Sequence, residues 1–301
     1  MRVALVALAL IISSVGCGSS TTSSEGGAPD PGSIGELWKR SGEAVALIAG
    51  TSDYSVGRVR MSFLVVNSKA RVIATPRADV WIARTMNAKP FAHTVATLER
   101  VGVPGVPEVG APNVIYVTEL SVRRPGKYYV LARPIGRVRI GGIQSLVVNT
   151  RSESPDVGDR AYPSRTPTLG STHGNLAELT TRVPPDRALL RYSVAQSLSA
   201  RVPFVVTFAT PRWCGSRVCG PVVDVVDYVR RRQGDTRIRF IHVEVYQGNN
   251  PRNGLNRWMR EWRLTTEPWT FLVGADGRIK ARFQGAVSAR ELERAVNRYL
   301  R

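Results

Sequence analysis

The chain has very little cysteine, histidine or lysine. Its 301 residues hold three cysteines, at 17, 214 and 219, and three histidines, at 93, 173 and 242. So few cysteines exclude a disulfide-dense scaffold and leave at most one internal pair besides a spare. The stretch 41–149 has no acidic or Cys/His cluster, so it offers no metal site. Lysine occurs only at 39, 69, 89, 127 and 280, so most of the 42 basic residues are arginine, against 23 acidic ones, for a net charge of +19. Such a surface favours anionic lipid or cell-wall polymer, or is simply solvated. No nucleic-acid recognition motif accompanies it, which argues against a nucleic-acid partner. Long apolar runs are also missing. The most apolar one, "VALVALALII" (3–12), has ten residues, about half of a membrane span.

That run follows Arg2 and leads into "SSVGC", ending at Cys17. A basic start, a short apolar segment and small residues describe a secretory signal peptide. "SSVGC" resembles the lipobox of bacterial lipoproteins, although Ser14 stands where that family usually has Leu. The resemblance implies cleavage after residue 16 and lipid on Cys17. It places the mature protein outside the cytoplasm, anchored to the cell membrane. The alternative is an ordinary signal peptide with an unmodified Cys17. Residues 17–40 are rich in Ser, Thr, Gly and Pro and read as a flexible tether. With Cys17 assigned to lipid, Cys214 and Cys219 remain as a pair in an oxidising compartment.

Two textures follow. Residues 41–149 hold about seven short runs rich in Val, Ile, Tyr and Phe, such as "RVRMSFLVV" and "GKYYVLA". Turn chemistry separates them, and the pattern predicts an immunoglobulin-like β-sandwich. A small helix is expected at Phe91–Arg100. Residues 150–175 are polar and Pro/Gly/Ser-rich, a linker or an extended strap. From 176 to 301 helix and strand patterns alternate. Helices are expected over Asp186–Arg201, after Cys219, around Leu255–Trp262 and after Ser288, where Glu291 completes a capping box. Strands are expected at Val202–Ala209, Arg237–Tyr246 and on both sides of "GADG".

This order resembles the thioredoxin fold, and so do particular residues. A strand ending in "FAT" leads into "RWCGSRVCGP" (212–221), and a helix begins at the second cysteine. About fifty residues on, "TTEPWTFLV" puts Pro268 where thioredoxins keep a cis-proline facing their dithiol. The expected fold class is therefore two domains, an N-terminal all-β sandwich and a C-terminal α/β thioredoxin-like domain. The resemblance implies a thiol–disulfide oxidoreductase acting on protein or peptide disulfides, with a membrane electron donor and no cofactor. Cys214 and Cys219 would be catalytic, and Trp213, Glu267 and Pro268 would line the substrate groove.

The C-x4-C spacing leaves roles open. "WCGSRVC" makes Cys214 the nucleophile, since Trp213 precedes it; "CGPV" over 219–222 gives Cys219 that position. Other readings stand beside redox exchange. The pair could be a permanent Cys214–Cys219 disulfide in a redox-inactive scaffold or binding lipoprotein. It could bind copper with His242, as in Sco-type chaperones of the same fold. "ATPRWC" also has a distant likeness to the peroxiredoxin approach, without its T-x-x-C spacing.

Overall fold

The computed structural model describes residues 32–39, 45–106, 113–136, 141–234 and 237–301. The expected signal peptide, Cys17 and the tether up to residue 31 lie outside the described residues. Among the described residues, no helix is long and apolar enough to cross a membrane. At the end of the expected tether, α1 (Ile34–Lys39) packs down instead of floating. Its Ile34 and Leu37 are buried, and its first N–H groups donate to the Ala88 and Met86 carbonyls. Ser33 and Glu36 cap it reciprocally: the Ser33 N–H donates to Glu36 Oε2 (2.7 Å), and the Glu36 N–H to Ser33 Oγ (3.2 Å).

Eight strands follow: β1 (Val45–Ala49), β2 (Tyr54–Ser55), β3 (Gly57–Asn67), β4 (Arg77–Ala83), β5 (Ala92–Arg100), β6 (Val114–Val122), β7 (Gly126–Pro134) and β8 (Gly142–Asn149). They form one curled sheet in the order β1-β3-β6-β5-β4-β7-β8-β2. It curls until β1 nears the start of β8, where a Cβ on Gly142 would stand 3.2 Å from Leu47 Cβ. Met61, Phe63, Val80, Tyr116 and Val130 fill the hollow, all at 0% exposure. Alternating side chains bury one face of a strand.

The second half carries β9 (Phe204–Phe208), β10 (Arg239–Val243), β11 (Trp269–Val273) and β12 (Ile279–Gln284), in the order β10-β9-β11-β12. β9 and β10 are parallel, joined across α3 (Cys219–Arg232); β11 runs antiparallel to β9 and β12. The remaining helices are α2 (Val194–Ser199), α4 (Arg257–Glu261) and α5 (Ala289–Tyr299).

The expected fold class is therefore corrected. The chain is mostly β: a large curled eight-stranded sheet plus a four-stranded one, with few helices. The first half is not a two-sheet sandwich, because one-sided burial does not say how strands divide between sheets. The second half does not match an α/β thioredoxin-like domain, since helices expected there shrink. Asp186–Arg201 breaks into a 3₁₀ turn (Arg187–Leu190) and the six residues of α2, which Ser193 and Gln196 start afresh with a capping box. Around Leu255, Gly254 at φ 72 and the Asn256 cap delay the start, and Arg263 at φ 52 follows the end, leaving five residues. The helix expected at Phe91–Arg100 is strand β5, held on both sides by β4 and β6; its β-branched Thr94, Val95 and Thr97 suit that pleated setting. At Ser288 half of the capping box forms. Ser288 Oγ accepts the Glu291 N–H (2.9 Å), while the Glu291 carboxylate turns to Arg60 (2.7 Å).

Residues Gly32–Arg301 form one compact unit, and buried charges tie the two sheets together. Arg282 lies against Asp53 (3.1 Å) and Asp156 (3.1 Å). Glu99 accepts from Ser288 Oγ (2.9 Å) and Arg290 Nη2 (2.6 Å). Two glycines let the backbones touch. Gly285 has φ +73, and a Cβ there would stand 2.4 Å from the Gly50 carbonyl oxygen. Beside them, Gln284 Oε1 accepts the N–H groups of Ser52 (2.8 Å) and Asp53 (2.9 Å). Within 150–175, only 158–161 run beside the start of β12, with Gly158 and Ala161 donating to Ile279 and Gly277; further on, Ser164 accepts from Ala195 and Leu169 donates to Leu190.

Candidate active site

β9 is a continuous buried run and delivers the chain to Ala209, whose N–H still pairs with Val243. Two tight turns follow. The Trp213 N–H donates to the Thr210 carbonyl (3.3 Å) and the Arg217 N–H to the Cys214 carbonyl (3.2 Å). Arg217 takes the left-handed conformation (φ 59), which folds the four intervening residues back on themselves. α3 then starts at Cys219, with Pro221 in the first turn, where its missing N–H leaves no gap.

The N-cap, Val218, has no side chain able to cap the helix. Cys214 fills that role from upstream: its Sγ accepts the Cys219 N–H at 3.3 Å and contacts Ser216 Oγ at 3.2 Å. The sulfur that follows Trp213 is thus also the sulfur at the helix N-terminus. The two sequence alignments, one favouring each cysteine, describe one arrangement.

Both cysteines are free thiols, and their surroundings push them apart. The Cys219 thiol, donating to the Cys214 sulfur, does most to bring the Cys214 pKa down to about 5. Burial opposes this, and the Ser216 hydroxyl and the N–H groups of Cys219 and Val218 assist it. Cys219 is 0% exposed. Burial first, then the hydrogen bond and charge of Cys214, drive its thiol far above the ordinary range. The partly buried Cys214 sulfur is a thiolate near neutral pH, and its fully buried partner holds a proton. Thiolates are the nucleophiles of disulfide exchange.

Glu267 and Pro268 face the pair, and their peptide bond is cis. The Glu267 carboxylate and both sulfurs lie within 4.8 Å of one another, the one such potential metal-ligand group among the described residues. Burial, and then the Cys214 charge, raise the Glu267 pKa. Tyr246 is raised as well, by burial and then by the charges of Glu267 and the two sulfurs. Trp213 is exposed; its indole N–H donates to the Asn249 carbonyl (2.9 Å), and Arg212 lies 4.8 Å over its ring.

His242 is not brought to the sulfurs. It is buried in β10, with Nε2 on the Ala209 carbonyl (3.0 Å) and Nδ1 near Thr180 Oγ1 (3.4 Å). A carboxylate, Glu267, stands at the pair where the copper reading placed a histidine. The other two histidines are remote from any cysteine cluster: His93 pairs with Asp79 (3.0 Å), and His173 sits exposed in the strap.

Several contributors were not foreseen. Ser216 was only a loop residue in the sequence, yet its hydroxyl helps hold the thiolate. Thr181 accepts the Arg212 N–H (3.2 Å) and is itself held by the buried Glu244 (2.8 Å), which anchors the loop before Cys214. Ser216 lies inside the motif, while Thr181 and Glu244 lie far from it on either side, so no local signal pointed to them. Nothing in the sequence placed Gly50 of the first sheet against Gly285, beside the cis-proline turn. No family model matches the chain, and no curated protein matches it.

Proposed function

We propose that the chain is a thiol–disulfide oxidoreductase in which Cys214 attacks and Cys219 resolves. The observation that carries this is the asymmetry of the two sulfurs: partly buried, accepting the first N–H of α3 and lowered to about 5 at Cys214, fully buried and raised at Cys219. The Cys214 thiolate attacks one sulfur of a substrate disulfide. That S–S bond breaks, the substrate's other sulfur leaves as a thiolate, and a mixed disulfide forms at Cys214. This removes the Cys214 charge, one of the influences that hold the proton on Cys219. Cys219 then loses its proton and attacks Cys214 Sγ, and the substrate's remaining sulfur leaves. The substrate has gained two electrons and the protein holds a Cys214–Cys219 disulfide; the reverse sequence oxidises a substrate dithiol. A dithiol donor or disulfide acceptor resets the pair. Glu267, with its raised carboxyl, is positioned to take the Cys219 proton.

The short loop between the cysteines also weighs against a purely bracing role, since closing it removes little chain entropy. The signal-peptide pattern and Cys17 support a place outside the cytoplasm, held to the membrane by lipid. Trapping tests the reading. Cys219→Ala protein mixed with a peptide disulfide should accumulate a stable adduct at Cys214, detected by mass spectrometry of the intact chain. Cys214→Ala should form none. An adduct absent from Cys214 sinks the assignment.

A further inference from the structure

The dithiol does not stand on an open surface. A cleft of about 420 Å³ adjoins it, walled on one side by Ile48 and Ala49 of β1, Leu64 of β3 and Ile115 of β6. Its other wall includes Val218, between the cysteines, and Glu267, before the cis-proline. The volume is in the range of ligand pockets, about 300–1,000 Å³.

The first sheet is fixed in this position. Gly285 donates its N–H to the Pro268 carbonyl (2.8 Å) while lying so close to Gly50 that a Cβ on Gly285 would meet the Gly50 carbonyl. Gln284 bridges Ser52 and Thr266 with its amide nitrogen (2.8 and 2.9 Å). The end of β1 is thus bolted to the cis-proline turn, and the sheet is a wall of the active site.

The lining is largely aliphatic. Ile48, a branched apolar side chain, is left 49% exposed at this cleft. A second cleft, between β3, β6 and β12, has a different lining, including Arg58, Arg60, Arg282, Glu119 and Glu291. The apolar character belongs to the cleft beside the dithiol. The cysteines themselves do not line it, but two lining residues reach the attacking sulfur: Ser216 Oγ lies 3.2 Å from Cys214 Sγ, and the Glu267 carboxylate lies within 4.8 Å of it.

Resting on the oxidoreductase reading, we infer that the first sheet selects the substrate. The occupant is a flexible polypeptide whose disulfide cysteine has a large apolar residue next to it, seated between Ile48 and Val218. Small hydrophilic disulfides do not reach this wall. Apolar pockets discriminate between such side chains by about 10–200-fold in rate.

The test uses the reduced protein and two short peptides, Gly-Leu-Cys-Gly and Gly-Asp-Cys-Gly, each disulfide-linked to thionitrobenzoate. Release of the coloured thiol is followed. The leucine peptide should react about tenfold faster or more. Ile48→Glu and Ala49→Trp, both at exposed positions, should bring the two rates together. Neither should change the rate with dithiobis(nitrobenzoate) itself, which has no peptide. Equal rates for the two peptides on the unaltered protein overturn the inference and leave the oxidoreductase reading standing. So do variants that slow dithiobis(nitrobenzoate) as much as the leucine peptide. No reaction with any of the disulfides overturns the underlying reading instead.

Discussion

Cys219→Ala removes the strongest influence on the attacking sulfur. In the native site the Cys219 thiol donates to Cys214 Sγ, and this contact leads the causes that lower the Cys214 pKa to about 5. A hydrogen bond to a charged group contributes about 1.5–3 kcal/mol. At 1.36 kcal/mol per pKa unit, its loss raises the Cys214 pKa by about one to two units, to roughly 6–7. The Ser216 hydroxyl and the N–H groups of Cys219 and Val218 remain, so the value stays below that of a free thiol. The assay is iodoacetamide alkylation between pH 3 and 9, with the Cys214 peptide quantified by mass spectrometry. Native protein should show a midpoint near 5 and no alkylation of Cys219 across the range. The variant's midpoint should move up by the stated amount. A native midpoint near 9, or identical curves for the two proteins, would mean that Cys219 does not hold the Cys214 charge. The same shift carries a stability sign. The Cys214 value is depressed from 9.0, so its contribution to the reduced fold is complete above pH 9, shrinks as pH falls and is gone below about pH 5. Cys219 is raised, so its contribution is present below pH 9 and is lost as pH rises through its folded value.

Three further perturbations separate the site from the frame that holds it. Glu267→Gln removes the carboxyl placed beside both sulfurs to take the Cys219 proton and should slow release of a mixed disulfide from Cys214 by about 100-fold, followed by mass spectrometry of the intact chain; an unchanged release rate would contradict that role. Gly285→Ala places a Cβ 2.4 Å from the Gly50 oxygen at φ +73. It should destabilise the fold by about 3 kcal/mol or more and lower Tm by roughly 6–12 °C; an unchanged Tm would mean the sheets are not in that contact. Arg282→Met strands Asp53 and Asp156 without their cation and should cost about 3–5 kcal/mol in urea unfolding. Adding Asp53→Asn should recover part of the loss, because the two residues share one network; strict additivity would count against it.

The dithiol was legible because its signals are local. Pro221 after Cys219 marks a helix start, and a continuous apolar run marks a buried strand, so β9 and α3 fall where the pattern puts them. Roles were not legible from spacing, because they depend on how Arg217 folds the loop and which sulfur reaches the helix end. Sheet architecture was less legible still. Apolar-rich runs identified β1, β3, β4, β6, β7 and β8, but pairing between strands far apart in sequence decides between one curled sheet and two facing ones. β5 went unrecognised because Ala92–Arg100 also fits a helical spacing, and its neighbours settle the matter. The cleft at the active site depends on Gly50 meeting Gly285, a contact between positions 235 residues apart in the chain.

The most direct test is the redox equilibrium of Cys214 with Cys219. The protein is equilibrated with graded ratios of reduced and oxidised glutathione, and the disulfide is quantified after acid quenching and alkylation. An exchange-active pair should show a reversible midpoint between about −120 and −270 mV. A pair that stays oxidised below about −300 mV, as structural disulfides do, would contradict the exchange role.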